Sequence, residues 1–314
     1  LGSAVRRATG LASGLLVAVA LDAVLADPRR GHPVALFGRV AGAVEARVWR
    51  DRRGRGVAYA ATCVGAVVGL GVVGERAARH SPAYPLVLAA ATWAVLGGET
   101  LCREARGVHA LLAADDLDAA RRRLTHLVGR DPTGLDAGEI SRAAIESVAE
   151  NSSDAVVAPL FWGVVAGLPG LLGYRAVNTL DAMVGHHSPR YERFGWAPAR
   201  LDDAANLVPA RLTAGLVAVC SGRPAQVWRT VRRDAGRHPS PNAGWCEAAF
   251  AGALGVRLGG RNVYGDRVEV RPTLGDGHPP EPDDLLRAAT LARRVTAAAA
   301  VLAAVAAVAT GARR

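Results

Sequence analysis

The sequence predicts an all-α, polytopic integral membrane protein, with about four to six membrane segments joined by cytosolic helical and loop segments. Three observations predict it. Half of the 314 residues are apolar, yet only 5% are aromatic. Charge-free runs occupy 56–74, 81–98, 155–174 and 295–312, each of 18 to 20 residues, and a helix needs about 20 mostly apolar residues to cross the hydrocarbon core. The basic residues collect between these runs, so the net charge of +10 is accounted for by loops flanking membrane spans, and no nucleic-acid partner is expected.

The first element is the apolar stretch 8–26, interrupted only by Asp22. Arg6 and Arg7 precede it, so a signal peptide is the competing reading. The 27–55 loop follows with eight arginines, against two in the 75–80 connection. The positive-inside rule therefore places 27–55 in the cytosol. Segment 99–154 is then cytosolic as well, with eleven acids. Within it Asp136 and Glu139 have the spacing of a capping box at the start of a helix over 137–150. Asp115–Arg123 has acids early and arginines late, the order that suits a helix dipole.

Run 155–174 contains Pro159 and the break Gly167-Leu168-Pro169-Gly170, and the only candidate return, 212–222, has eleven uncharged residues. Two true crossings or a re-entrant hairpin both satisfy parity. The hairpin is preferred because it keeps the polar motifs on one side, where protein or a wet cavity can satisfy irregular backbone. Segment 223–294 has twelve arginines and many Pro and Gly residues and reads as cytosolic and loop-rich. The whole chain, 1–314, is read as a single membrane domain.

All 38 basic residues are arginine and lysine is absent. This excludes a Schiff-base lysine, a phosphate-loop lysine and a lysine general base. Cys63, Cys102, Cys220 and Cys246 form no C-x-x-C pair and read as free thiols. There is no nucleophile elbow, Walker loop or Rossmann fingerprint. The glycine-rich tract Gly252–Gly260 reads as a flexible loop or as a place where backbone approaches a large ligand.

The polar motifs carry more. Glu146, Glu150 and Asp154 are spaced four apart and would share a face of a continuous helix, unless Asn151-Ser152-Ser153 breaks it. Such a face needs a positive group among its carboxylates, either Arg142 or a Mg²⁺ ion. A solvated acidic face is the plain alternative, but this run abuts a membrane segment, where charge is costly without function. Asn178 and Asp181 are three apart and can point together, or merely cap a helix. The pair Asp202-Asp203, flanked by Arg200 and Arg211, suits phosphate and Mg²⁺ handling; a surface ion-pair network is the alternative. His186-His187 are neighbours that seldom reach one ion. His32 sits in the motif Asp27-Pro28-Arg29-Arg30-Gly31-His32-Pro33, and Asp22 lies just inside the first span.

Taken in order, these motifs resemble the CobD/CbiB family of cobalamin-biosynthesis membrane proteins, the adenosylcobinamide-phosphate synthases, over nearly the whole chain. The matching stretches are Leu21-Asp22, Asp27-Pro28 and His32-Pro33-Val34, then Ala149-Glu150-Asn151 with Asp154 and Ala158-Pro159-Leu160-Phe161. Tyr174-Arg175-Ala176-Val177-Asn178-Thr179-Leu180-Asp181 follows, with Arg200-Leu201-Asp202-Asp203 and Pro209-Ala210-Arg211-Leu212-Thr213. The series closes with His238-Pro239-Ser240-Pro241-Asn242-Ala243-Gly244-Trp245, Glu247-Ala248 and Gly252–Val256. Cys246 stands where proline is usual and Phe250 where methionine is common; His186-His187 replace an aromatic or polar residue, which weakens a metal reading there.

The resemblance implies ATP-dependent amide formation between a propionate carboxylate of adenosylcobyric acid and aminopropanol or its phosphate ester. It implies ATP as co-substrate and Mg²⁺, with other cobalamin-pathway enzymes as candidate partners, while the apolar runs and the arginine bias predict a cell-membrane location with the active site facing the cytoplasm. On that basis Glu150, Asp154 and Asp181 are assigned to Mg²⁺, and Asp202 and Asp203 to a second carboxylate site or to orienting the amine. Arg175, Arg200 and Arg211 are assigned to phosphates. Asn151, Asn178, Asn206 and Asn242 are assigned to the amide-rich corrin rim, with Glu247 and His32 also in the substrate-binding set. A Mg²⁺-dependent membrane transferase of a diphosphate substrate and a membrane transporter remain the alternatives.

Overall fold

A computed structural model describes residues 2–27, 31–129, 131–186, 188–264 and 267–311. The described chain forms α1 (Gly2–Leu25), α2 (Pro33–Val48), α3 (Arg53–Ala78), α4 (Tyr84–Trp93), α5 (Gly98–Ala113), α6 (Leu117–Leu124) and α7 (Ala137–Ser152). A π-helical turn, Ser153–Val157, leads into α8 (Ala158–Val184). Then come α9 (Trp196–Cys220), α10 (Pro224–Asp234), α11 (Ala243–Leu254), β1 (Leu258–Tyr264), β2 (Arg267–Leu274) and α12 (Pro282–Gly311). The architecture is all-α, with one antiparallel β1–β2 hairpin added among the described residues.

Among the described residues, five helical stretches are long and apolar enough to cross a membrane: Arg6–Leu25, Arg53–Ala78, Tyr84–Ala113, Ala137–Val184 and Pro282–Thr310. Their outward faces are aliphatic; on α3, for example, Leu70 is 70% exposed and Val73 66%. Apolar surface turned outward in this way suits lipid as its solvent. The protein is a multi-pass membrane protein.

The contacts divide the chain into two compact units, each assembled from separate stretches. The first comprises 1–97, 154–206 and 299–314. In it α1 packs on α4 and α3 on α8, at small residues that let backbones approach. A Cβ on Gly14 would lie 2.9 Å from the Pro85 carbonyl oxygen, and one on Gly71 would lie 2.7 Å from the Pro169 Cα.

Within this unit the chain reverses at Gly167. Its φ of 62° and ψ of −147° are non-helical and suit glycine alone. A straight helix would separate residues 154 and 174 by about 30 Å. Instead the Tyr174 hydroxyl donates to the Asp154 carbonyl at 3.3 Å, and the Asn178 amide to Asp154 Oδ2 at 3.3 Å. The arms 153–166 and 168–184 therefore run back along each other. At 1.5 Å per residue they reach about 21 and 25 Å, each short of a hydrocarbon core of about 30 Å. The 48-residue stretch Ala137–Val184 is thus not one straight span. Buried Glu75 fastens the tip of the reversal, accepting from Leu168 N at 3.1 Å, the Tyr84 hydroxyl at 3.0 Å and Arg7 Nη2 at 3.1 Å.

The second unit comprises 98–153 and 207–298. Here α7 carries the expected capping box, Asp136 accepting from Glu139 N at 2.8 Å and Glu139 from Asp136 N at 3.1 Å. Asp116 caps α6. Segment 223–294, expected to be loop-rich, instead forms α10, α11, the hairpin and the first part of α12. The tract Gly252–Gly260 is likewise no loop. It ends α11, with Gly255 at φ 73° closing the helix in the left-handed region that glycine favours, and begins β1.

Candidate active site

In the first unit the reversal brings the π-turn and the second arm of α8 against the start of α9, and their polar side chains form one network. Asn178 Nδ2 donates to Asp154 Oδ2 and to Asp202 Oδ1, each at 3.3 Å. Asn206 Nδ2 donates to Asp202 Oδ2 at 3.0 Å, while Asn206 Oδ1 accepts from the Tyr174 hydroxyl at 2.9 Å. Arg175 Nη1 lies 3.5 Å from Asn178 Oδ1, within reach of the charges of Asp154 and Asp27. Its Nε is buried and has no hydrogen-bond partner among the described residues.

The helix period explains this convergence. Tyr174 and Asn178 are four apart on α8, as are Asp202 and Asn206 on α9, so each pair shares a face. Two carboxylates so close would repel; amide donors from Asn178 and Asn206 offset that, but burial still pushes the Asp202 carboxyl above its ordinary range, with Asp203 adding to the rise. Asp203 projects from another side of α9. Neighbours on a helix point about 100° apart, and Asp203 turns instead to Arg200 at 3.6 Å, leaving both partly exposed. Burial also raises the Asp203 carboxyl, against the Arg200 charge.

The network therefore gathers Asp154, Arg175, Asn178, Asp202 and Asn206 from the expected set. Tyr174 was given no role in the sequence, although its place one turn before Asn178 signalled it. The Asp181 carboxylate folds toward Gly185, where any Cβ would meet Asp181 Oδ1. His32 caps α2, its Nδ1 accepting from Val34 N at 3.2 Å, and its Nε2 lies 3.7 Å from Asp27 Oδ1. His186 stacks edge-on to Tyr191, with centroids 5.1 Å apart; His187 lies outside the described residues.

In the second unit Glu146 is buried and accepts from Gly259 N at 2.8 Å, with Arg142 beside it at 3.8 Å and bonded to the Gly259 carbonyl. Glu146 thus anchors β1. The expected carboxylate face of Glu146, Glu150 and Asp154 is not realised, because the π-turn at Ser153–Val157 breaks the helical repeat and Glu150 is exposed while Glu146 is buried. Asn151 turns back to the Ser147 carbonyl at 2.9 Å. Among the described residues no three His, Cys, Asp or Glu side chains gather as a metal-ligand group. The set Glu150, Asp154 and Asp181 is therefore not a preassembled three-carboxylate site.

The second unit holds a polar cluster of its own. Arg211 lies over the Trp245 ring at 4.6 Å and reaches Asn242 Oδ1 at 3.5 Å. His238 and Glu247 are both buried, with Nε2 and Oε1 3.7 Å apart. His238 Nδ1 accepts from Ser240 N, and Ser240 Oγ from Asn242 N and Ala243 N. This folds the His238–Trp245 motif into the start of α11.

These features define a multi-pass membrane protein with a buried amide–carboxylate centre beside an arginine. The family model described as CobD/Cbib protein matches residues 15–292. The cobalamin biosynthesis protein CobD of Mycobacterium tuberculosis is 54% identical over 297 residues, covering 93% of this chain and 94% of that protein. The CobD proteins of Rhodobacter capsulatus and Geobacter metallireducens are 46% and 44% identical, covering 91% and 83% of this chain and 94% and 86% of theirs. No solved structure matches. The chain belongs to the CobD/CbiB family, and its role lies in cobalamin biosynthesis.

Proposed function

We propose that this protein joins a propionate carboxylate of adenosylcobyric acid to aminopropanol or aminopropanol phosphate in an amide bond, at the expense of ATP. The balance is carboxylate, ammonium and ATP to amide, ADP, phosphate and a proton. A carboxylate resists an amine because oxide is a poor leaving group, and ATP supplies the phosphoryl group that removes this obstacle. The observation that carries the reading is the network around Asn178. It offers two carboxylates beside one another, an arginine with an unused buried N–H, and amide side chains.

Mg²⁺ fits such a donor set, since it is commonly held by one or two carboxylates with phosphate oxygens completing the shell. Asp154 and Asp202 would hold it, and when bound it offsets phosphate charge. Arg175 presents its Nε–H to a phosphate oxygen, the task that lysine performs elsewhere and that this lysine-free chain must give to arginine. Asn178 and Asn206 keep both carboxylates aimed, and Tyr174 locks Asn206. Arg211, Asn242 and Glu247 serve substrate binding, with carboxamides and amine as their complements. The active centre faces the cytoplasm of the cell membrane.

The test is mass spectrometry of the product after purified protein meets adenosylcobyric acid, ATP and Mg²⁺ with each amine in turn. The expected result is the corrinoid mass raised by the amine less water, with ADP formed in equal amount. ADP without a heavier corrinoid, or neither, overturns the reading; a transporter yields no covalent product.

A further inference from the structure

A cavity of about 350 Å³ lies in the second unit, between the turn joining α9 to α10, the end of α11 and α12. Its lining includes Arg223, Arg287 and Arg294 and no carboxylate. Arg287 is engaged with Asp284 and the Leu254 carbonyl. Arg223 and Arg294 meet no acidic partner among the described residues. The preceding residue behaves differently: Arg293 grips buried Glu99 at 2.7 Å, together with Arg106 at 2.8 Å and Arg103 at 3.1 Å. One helix turn thus sends one guanidinium to an acid and the next into a cavity that lacks one. Arg223 is also the N-cap of α10, which has no side-chain cap, so the positive end of that helix adds to the same field.

The apolar side of the cavity identifies the ligand class. Leu286 and Leu291 line it, and Leu286 is partly exposed. On α9, Val219 is 77% exposed two residues before the lining residue Ser221. Arg294 immediately precedes the charge-free run 295–312 of α12, the place where a span enters hydrocarbon. A free anion has no use for these aliphatic shoulders, whereas an amphiphile does. We propose that this cavity holds the phosphate of an anionic phospholipid headgroup between Arg223 and Arg294, with the acyl chains leaving past Leu286 and Leu291. Basic pockets at helix ends on the arginine-rich side of a membrane recognise such headgroups.

The test uses the full chain in detergent, with phosphatidylglycerol or phosphatidylcholine added and retained lipid read by native mass spectrometry. The wild type is expected to retain phosphatidylglycerol over phosphatidylcholine. The R223Q/R294Q variant is expected to lose that retention roughly 25-fold, at about fivefold per arginine, while R223K/R294K keeps most of it and R76Q/R79Q, changed at the end of α3, keeps all of it. Equal retention of both lipids by the wild type overturns the proposal without recourse to any variant. So does unchanged retention by a monodisperse R223Q/R294Q protein. Displacement of phosphatidylglycerol by inorganic phosphate alone would assign the cavity to a free anion and overturn the lipid.

Discussion

Asp202 and Asp203 are adjacent in sequence and opposite in consequence. Asp202 shares the Asn178 amide with Asp154, whereas Asp203, only partly exposed, turns to Arg200. Asp202→Asn should lower turnover by roughly a hundredfold or more, as losing a charge-stabilising group does. Asp203→Asn should stay within a few-fold of wild type, and product formation across a Mg²⁺ titration measures both. Tyr174→Phe removes one buried donor to Asn206 and should cost about 1–2 kcal/mol, seen as a lower melting temperature. Much of this centre was legible: the four-residue spacing of Tyr174 with Asn178 and of Asp202 with Asn206 is in the sequence, and both motifs belong to the resemblance. Two of the assigned side chains take local partners. Asp181 has its own helix end to fold against, and Asn151 its own preceding turn, and short polar side chains take such partners readily.

At the scale of elements, two fastenings decide whether the parts hold. Gly167 combines a left-handed φ with a buried Glu75 carboxylate 2.8 Å from where a Cβ would sit. Gly167→Ala should therefore destabilise by about 1–3 kcal/mol or more, whereas Gly74→Ala, whose Cβ would meet its nearest neighbour at an ordinary 3.7 Å, should be nearly neutral; thermal unfolding in detergent compares them. In the second unit Asp234 holds β2 by accepting from Gly275 N at 2.8 Å. The Arg233 guanidinium keeps its carboxyl below the usual carboxylate range. A depressed carboxyl contributes stability that is present above its unfolded-state value and is lost as pH falls through the lower folded-state value. Amide exchange at Gly275, corrected for intrinsic rate, should thus stay slow at neutral pH and quicken only in acid, and Asp234→Asn should quicken it about tenfold at pH 7. The break at Gly167 was legible from Gly-Leu-Pro-Gly. The β-hairpin was not read, although Arg267-Val268-Glu269-Val270-Arg271 alternates with the period of a strand; the abundance of Pro and Gly across 223–294 masked a five-residue signal.

For the molecule as a whole, the reversal at Gly167 bears on which side of the membrane the chain displays its loops. The connection after α8 returns to α2: the Trp49 indole donates to the Arg190 carbonyl at 3.3 Å, and the Arg190 guanidinium pairs with Glu45 at 3.1 Å and stacks over the Trp49 ring at 4.6 Å. Whatever side holds Trp49 therefore holds Arg190. Segment 27–55, with its eight arginines, is expected inside by charge, so Arg190 is expected inside with it, even though the uncharged run 155–174 would by length alone carry the chain across. The charge of 27–55 and the contact of Trp49 with Arg190 constrain the chain independently, and one measurement tests both. In a background with Cys63, Cys102, Cys220 and Cys246 replaced, Arg50→Cys and Arg190→Cys should both resist a membrane-impermeant maleimide added to intact cells and both react once the cells are opened. Labelling of both from outside would invert the orientation and leave the fold intact. Labelling of Arg190→Cys alone would show that the chain crosses where it here turns back, and the network of Asp154, Asn178 and Asp202, which exists only because of that turn, would have to be given up with it.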